Sequence, residues 1–171
     1  ADAGVPVLPR GGGTSQCGQT VGRAVVMDVS RHLNRVVEFD PEARTAWVEP
    51  GVVLDELNAF LKPHGLWFPV DVSTGSRATI GGMAGNNSCG ARSLHYGTMR
   101  DNVIAIDAIL ADGTEMHLGE LPADISEAGF SPTQRSTVEK LLALGLREAL
   151  EIDARFPKMM RRVGGYNIDA L

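Results

Sequence analysis

Glycine is the residue that most limits what this chain can become. Gly11, Gly12 and Gly13 stand together just after a short apolar run, Val5 to Leu8. A second cluster, Gly81, Gly82, Gly85 and Gly90, lies within a stretch from Phe68 to Thr98 made largely of glycine, serine, threonine and asparagine. Three adjacent glycines preclude regular structure, so the first group is a loop hung on a strand end. Its successive N–H groups can close around an anion as a nest, and Thr14 and Ser15 add hydroxyl donors. A mobile surface turn is the alternative reading of the triplet alone. The second stretch is the largest non-periodic segment, with few apolar residues for any core. Loops this long inside a compact domain are usually functional or disordered, and the flanking Trp67-Phe68-Pro69 and Tyr96 argue against disorder. Two such loops can grip a long dinucleotide at both ends.

Neither cluster is a standard nucleotide motif. No Gly-Lys-Ser or Gly-Lys-Thr follows the first, as a P-loop requires, and no GxGxxG opens a helix there, as a Rossmann fingerprint requires.

The rest of the chain reads as alternating short strands and helices. Ala24 to Val29, Arg35 to Phe39 and Thr45 to Glu49 are strand-like, with turn chemistry at Asp40-Pro41-Glu42-Ala43, and together predict a meander. Leu54, Leu57 and Leu61 recur at helical spacing before His64-Gly65 ends the run, so a helix there covers the sheet. Asn102 to Leu110 and Thr114 to Leu118 form a hairpin about Asp112-Gly113, where the sheet closes. Ser131, Pro132 and Gln134 form a capping-box start. Val138, Leu141, Leu142 and Leu146 give the following helix one apolar face, and Gly145 together with Phe156-Pro157 predicts two helical pieces.

At 171 residues and 43% hydrophobic content, one domain is the starting assumption. A net charge of -5, with no dense basic block beyond Lys158 to Arg162, argues against nucleic acid. The most apolar run, Val103 to Ala111, is far shorter than the ~20 residues that cross a bilayer. Ala1 to Arg10 does not read as a signal peptide, which favours a cytoplasmic protein, or one peripheral to the inner membrane. Cys17 and Cys89 are expected to be free thiols. His32, His64, His95 and His117 show no metal-ligand spacing, so no metal site is expected.

In order and spacing, Pro9 to Ser15, Phe68-Pro69-Val70-Asp71, Thr79-Ile80-Gly81-Gly82, Tyr96-Gly97 and Ala111-Asp112-Gly113 resemble the FAD-linked oxidase family of the vanillyl-alcohol oxidase and p-cresol methylhydroxylase type. The likeness covers roughly Val5 to Gly119. It implies an α+β, two-subdomain FAD-binding domain, incomplete at both ends because the family has a strand and helix before Val5 and a further segment and cap after Leu171. The expected division is 5–50 as part of the first subdomain, 51–119 as the second, 120–160 as a helical insert and 161–171 as the start of a return segment.

The same resemblance implies that Pro9, Arg10, Gly11, Gly12, Gly13, Thr14 and Ser15 wrap the pyrophosphate. Pro69, Asp71, Thr79, Ile80, Gly81, Gly82, Gly85, Asn86 and Gly90, with Tyr96 and Gly97, would supply contacts further along FAD, and Ile104 would meet the adenine side through its backbone. Some members attach flavin to a histidine at the slot that Thr14 fills here, so non-covalent FAD is expected.

Gly85 to Asn102, reinforced by Met160 to Asn167, is similar to bacterial proteins that fuse this domain to an iron–sulfur module. That implies oxidation of a D-2-hydroxy acid to a 2-oxo acid, with electrons passing to an iron–sulfur module or subunit. The catalytic base would lie outside these residues, and the chain alone should hold FAD weakly and turn over nothing. Two rival readings are a non-catalytic adenine-dinucleotide-binding module and an NADPH-dependent flavin reductase of the same superfamily; the Asn86 to Gly90 stretch argues against the second. His95 reads as a solvent-facing loop residue, Cys89 as a small packing residue, and Arg161 and Arg162 as a solvated charge run or a contact for an anion.

Overall fold

A computed structural model describes residues 4–159, 162 and 166–171, with the side chain of Glu127 excepted. The chain divides into two compact units, Asp2–Val103 and Ile104–Leu171.

In the first unit, β1 (Val7–Arg10) and β2 (Val25–Asp28) pair in parallel, Val7 facing Val25 and Arg10 facing Asp28. The predicted meander is corrected here. Residues 11–24 are long enough for the crossover that parallel strands need, so β2 pairs with β1 and not with the Val36–Asp40 strand that the meander placed beside it. Strands β3 (Val36–Asp40) and β4 (Thr45–Val48) do form an antiparallel hairpin, in a sheet of their own. Asp40 Oδ1 accepts from the backbone N–H of Glu42 and Ala43, each at 2.9 Å, and so shapes the turn. Arg35 and Glu49 close its open end, with Arg35 Nη2 donating to Glu49 Oε1 at 2.7 Å and the Arg35 N–H donating to Oε2 at 2.8 Å.

Helix α1 (Leu54–Leu61) lies where the leucine spacing predicts it, and Gly65, at φ 71°, reverses the chain after a 3-10 turn at Lys62–His64. Leu57 and Leu61 join Val52 in a buried cluster against Val36, Phe39 and Val48, so the helix covers the β3–β4 hairpin as expected.

The glycine-rich stretch departs most from its sequence reading. It contains α2 (Ile80–Gly85) and α3 (Ser93–Tyr96) and leads into α4 (Met99–Asn102), and its few apolar residues form the main core: Val70, Ala78, Met83 and Met99 bury together with Leu54. Aperiodic spacing hides this, because each residue enters the core from a different turn.

In the second unit, β5 (Ile106–Ile109) and β6 (Glu115–Leu118) form the predicted hairpin, with Gly113 at φ 87° and the Asp112 carboxylate accepting from Thr114 N–H at 2.9 Å, but as a two-stranded sheet of its own and not as the closing strands of a larger one. Helix α5 (Pro132–Arg155) begins at the predicted capping box on Ser131 and Gln134. It runs unbroken through Gly145, which corrects the expectation of two pieces. Gly145 is buried, and a Cβ there would lie 2.9 Å from Leu171 Cβ, so the glycine admits a close neighbour. The buried face therefore runs through Val138 and Gly145, whereas Leu141 and Leu146, at 42% and 81% exposure, fall off the face assigned to them. No helix among the described residues is long and apolar enough to cross a membrane.

Candidate functional site

The first glycine loop is aimed by β1, whose last carbonyl, on Arg10, accepts from Val29 N–H at 2.9 Å. Each of its glycines answers a different constraint. A Cβ on Gly11 would run into Thr79 Oγ1, and one on Gly12 into the backbone carbonyl of Arg77. Gly13 sits at φ 66°, with the Arg10 guanidinium 2.9 Å from where its Cβ would be. Thr14 and Ser15 follow, half-buried, and Pro9 is exposed. A mobile surface turn does not fit three glycines fixed in this way, two of them packed against the second glycine-rich segment.

Thr79 is the residue where the two segments meet. It is 2% exposed, and its hydroxyl oxygen is buried without a hydrogen-bond partner. A buried hydroxyl without a partner costs roughly 1–3 kcal/mol, so a polar partner at this junction would be stabilising. Next in line, Ile80 N–H donates to Val52 O and Gly81 N–H to Pro50 O, both at 2.8 Å; a Cβ on Gly81 would meet Pro50 Cβ at 2.5 Å. Gly82 is exposed, and Gly85 faces open space, with Asn86 exposed beside it.

A second junction joins the remaining predicted residues. Gly90 packs directly over Asp71, whose backbone carbonyl fills the space that a Cβ would need. The Asp71 carboxylate accepts from Arg92 N–H at 3.0 Å, and the Arg92 guanidinium lies 5.1 Å from the centre of the Trp67 ring. Trp67 in turn meets Tyr96 edge-on at 5.1 Å, and Tyr96 meets His95 at 4.5 Å. His95 is exposed, as expected. Pro69 is half-buried ahead of Val70. Gly97, at φ 81°, turns the chain into α4, whose start is held by Thr98 N–H donating to Asp101 Oδ2 at 2.7 Å. That hydrogen bond is the main reason the Asp101 carboxyl sits below the ordinary aspartate range.

Sequence reasoning missed two residues at this site. Asn87 is buried at φ 46°, and its side-chain carbonyl accepts from Arg100 N–H at 2.9 Å, tying the glycine cluster to α4; an asparagine beside glycines is a signal for left-handed backbone. Arg77 carries the carbonyl against Gly12, and nothing in its sequence neighbourhood marks it.

Ile104 belongs to the second unit and is exposed. Cys17 and Cys89 are free, as expected. Met160, Arg161 and Val163 to Gly165 lie outside the described residues, so the expected likeness at Met160 to Asn167 is described only at Arg162, Tyr166 and Asn167. Arg162 is not part of a solvated run: Nη2 lies 2.5 Å from Asp169 Oδ1, and the guanidinium covers the Phe156 ring at 4.1 Å.

Packed this way, the Gly11 to Gly13 loop and the half-buried Thr14 and Ser15 lie against the second glycine-rich segment at Thr79. A family profile described as an FAD binding domain matches residues 1–119. The D-2-hydroxyglutarate dehydrogenase of Pantoea ananatis is 39% identical over 162 residues, covering 94% of this chain and 16% of that protein. Glycolate oxidase subunit GlcD of Bacillus subtilis is 39% identical over 134 residues, 76% of this chain and 28% of that one. The chain thus spans well under a third of either relative. Among solved structures, 6-hydroxy-D-nicotine oxidase from Arthrobacter nicotinovorans shares the fold, with a TM-score of 0.61 at 21% identity over 69% of this chain and 25% of that chain.

Proposed function

Since the chain belongs to the FAD-binding domain family, we propose that the intact protein oxidises a D-2-hydroxy acid to the 2-oxo acid, with non-covalent FAD as electron acceptor. The observation that carries this reading is the seating of Gly11 and Gly12 on Arg77 to Thr79, which brings the nest beside the one buried hydroxyl lacking a partner among the described residues. The substrate class follows from the relatives' names, D-2-hydroxyglutarate dehydrogenase and glycolate oxidase subunit.

In this reading the Gly11 to Ser15 loop, led in by Pro9 and Arg10, binds the pyrophosphate through backbone N–H groups and the hydroxyls of Thr14 and Ser15. Thr79 to Gly82, with Gly85, Asn86 and Gly90, extend the binding surface, and Asp71 and Pro69 border it. Tyr96 and Gly97 add contacts along the cofactor, and Ile104 offers backbone groups to the adenine. Thr14 has no ring nitrogen with which to form a flavin bond, so the cofactor is held reversibly. When bound, FAD supplies the redox chemistry, taking up the two electrons that the hydroxy acid loses as its C2 carbon becomes a carbonyl. The chain's own part is to bind and orient.

The expected subdomain division at Gly51, with 120–160 as an insert, belongs to the same proposal. So do an iron–sulfur module or subunit as the next electron acceptor and a cytoplasmic or peripheral inner-membrane location.

Anaerobic addition of D-2-hydroxyglutarate, D-lactate or glycolate to the intact protein tests the substrate class. Bleaching of the flavin absorbance by one of them is the expected result. A bound flavin that none of these or other 2-hydroxy acids reduces would refute it.

A further inference from the structure

The charge around the first glycine loop is not accounted for by the nest alone. Backbone N–H dipoles supply partial charges, whereas a diphosphate ester brings two full negative charges to a chain whose own net charge is -5. Local cations are therefore needed. Arg10 is one, with its guanidinium lying over Gly13. Arg10 stands opposite Asp28 in the register of β1 with β2, a carboxylate that also accepts from Ser30.

Arg77 is the other, and its setting is unusual. Its backbone is pinned on every side: Arg77 N–H and Ala78 N–H both donate to Thr74 O at 2.8 Å, Ala78 O accepts from Leu54 N–H at 3.0 Å, and the Arg77 carbonyl abuts Gly12. Two residues on stands Thr79, with its buried orphan hydroxyl. Yet the Arg77 side chain is exposed, and among the described residues it has no ion-pair, hydrogen-bond or ring partner. A fixed main chain thus holds Arg77 beside Gly12, and its exposed side chain is uncommitted among the described residues. Arginine's planar fork of donors is suited to bidentate contact with phosphate oxygens.

We propose that Arg77 is a binding residue for the diphosphate of the dinucleotide, acting with Arg10 to supply the full positive charge that the Gly11 to Gly13 nest lacks. This rests on the FAD reading above and adds to it a residue and a charge requirement. It follows that FAD affinity falls with ionic strength, and that Arg77 carries more of this dependence than Arg10, which has the Asp28 carboxylate as its strand neighbour.

The test is titration of FAD into the intact apoprotein at low and high salt, for wild type, Arg77→Gln and Arg77→Lys. Arg77→Gln should weaken FAD binding at low salt by about tenfold and flatten its salt dependence. Arg77→Lys should restore the salt dependence while recovering only part of the affinity, since it keeps the charge and loses the fork. A loss of affinity in Arg77→Gln with an unaltered salt slope, or an Arg77→Lys variant as impaired as Arg77→Gln in both readouts, would assign Arg77 a structural role and overturn the proposal. Wild-type affinity and slope in Arg77→Gln would overturn it equally. A wild-type protein that binds no FAD would instead fail the underlying reading, and the inference with it.

Discussion

The two units spend their apolar residues in opposite ways. In Asp2–Val103, Val52, Leu54, Leu57, Leu61, Val70, Ala78, Met83 and Met99 are buried, and the segments that carry the site are threaded through that core. Among the described residues of Ile104–Leu171 the buried hydrophobic ones are Met116 and Val138, while Leu146 and Leu150 on α5 are 81% and 89% exposed. The contrast shows that loop-like composition can hide a core, and that a leucine-rich helix can leave its leucines outside. Position in the packing, not hydrophobicity, decides which residues matter.

The sharpest way to break this comparison is at Met99, which is 1% exposed at the centre of the first unit's core. Met99→Ala should cost about 2–5 kcal/mol, measured by denaturant unfolding of the intact protein. A loss below ~1 kcal/mol would mean that the glycine-rich stretch is not load-sharing with Leu54 and Val70. Next is Gly12→Ala, whose Cβ collides with a backbone carbonyl that cannot move aside as a side chain would. Forcing the loop away should cost roughly 1–3 kcal/mol of FAD binding, a loss of about five- to a hundred-and-fiftyfold in affinity by titration.

Asp101→Asn removes the carboxylate that caps α4 and should cost about 1 kcal/mol. Asp101 has its carboxyl pKa lowered on folding, from an ordinary 3.8, chiefly by the Thr98 N–H. Its stabilisation is therefore present above that ordinary value and is lost as pH falls through the folded one. Glu49, lowered by Arg35, acts in the same direction from 4.5. Acid unfolding curves of wild type and Asp101→Asn should accordingly converge at low pH. The smallest effect belongs to Leu146→Gln, expected to stay within about ±0.5 kcal/mol, which would sharpen the contrast with Met99.

Much of this was legible in the sequence where one local rule sufficed. The α1 leucine spacing, the Asp112-Gly113 hairpin and the Ser131-Pro132-Gln134 cap each correspond to elements of the structure. What escaped depended on distant partners. The parallel pairing of β1 with β2 is set by a crossover, the continuity of α5 through Gly145 by Leu171, and the burial of Val70, Ala78, Met83 and Met99 by one another. In the candidate site, Gly11 to Gly13 announced an anion nest. The Thr79 junction, Asn87 and Arg77 emerged only when the two glycine-rich segments were seen packed together.

The central claim is that these two segments form a reversible FAD site, and it is tested most directly by denaturing the flavin-loaded intact protein and separating small molecules from the polypeptide. Release of all the flavin as unmodified FAD, together with saturable rebinding that Gly12→Ala weakens, is the predicted result. Flavin remaining on the polypeptide, or a Gly12→Ala protein that rebinds FAD as tightly as wild type, would contradict it.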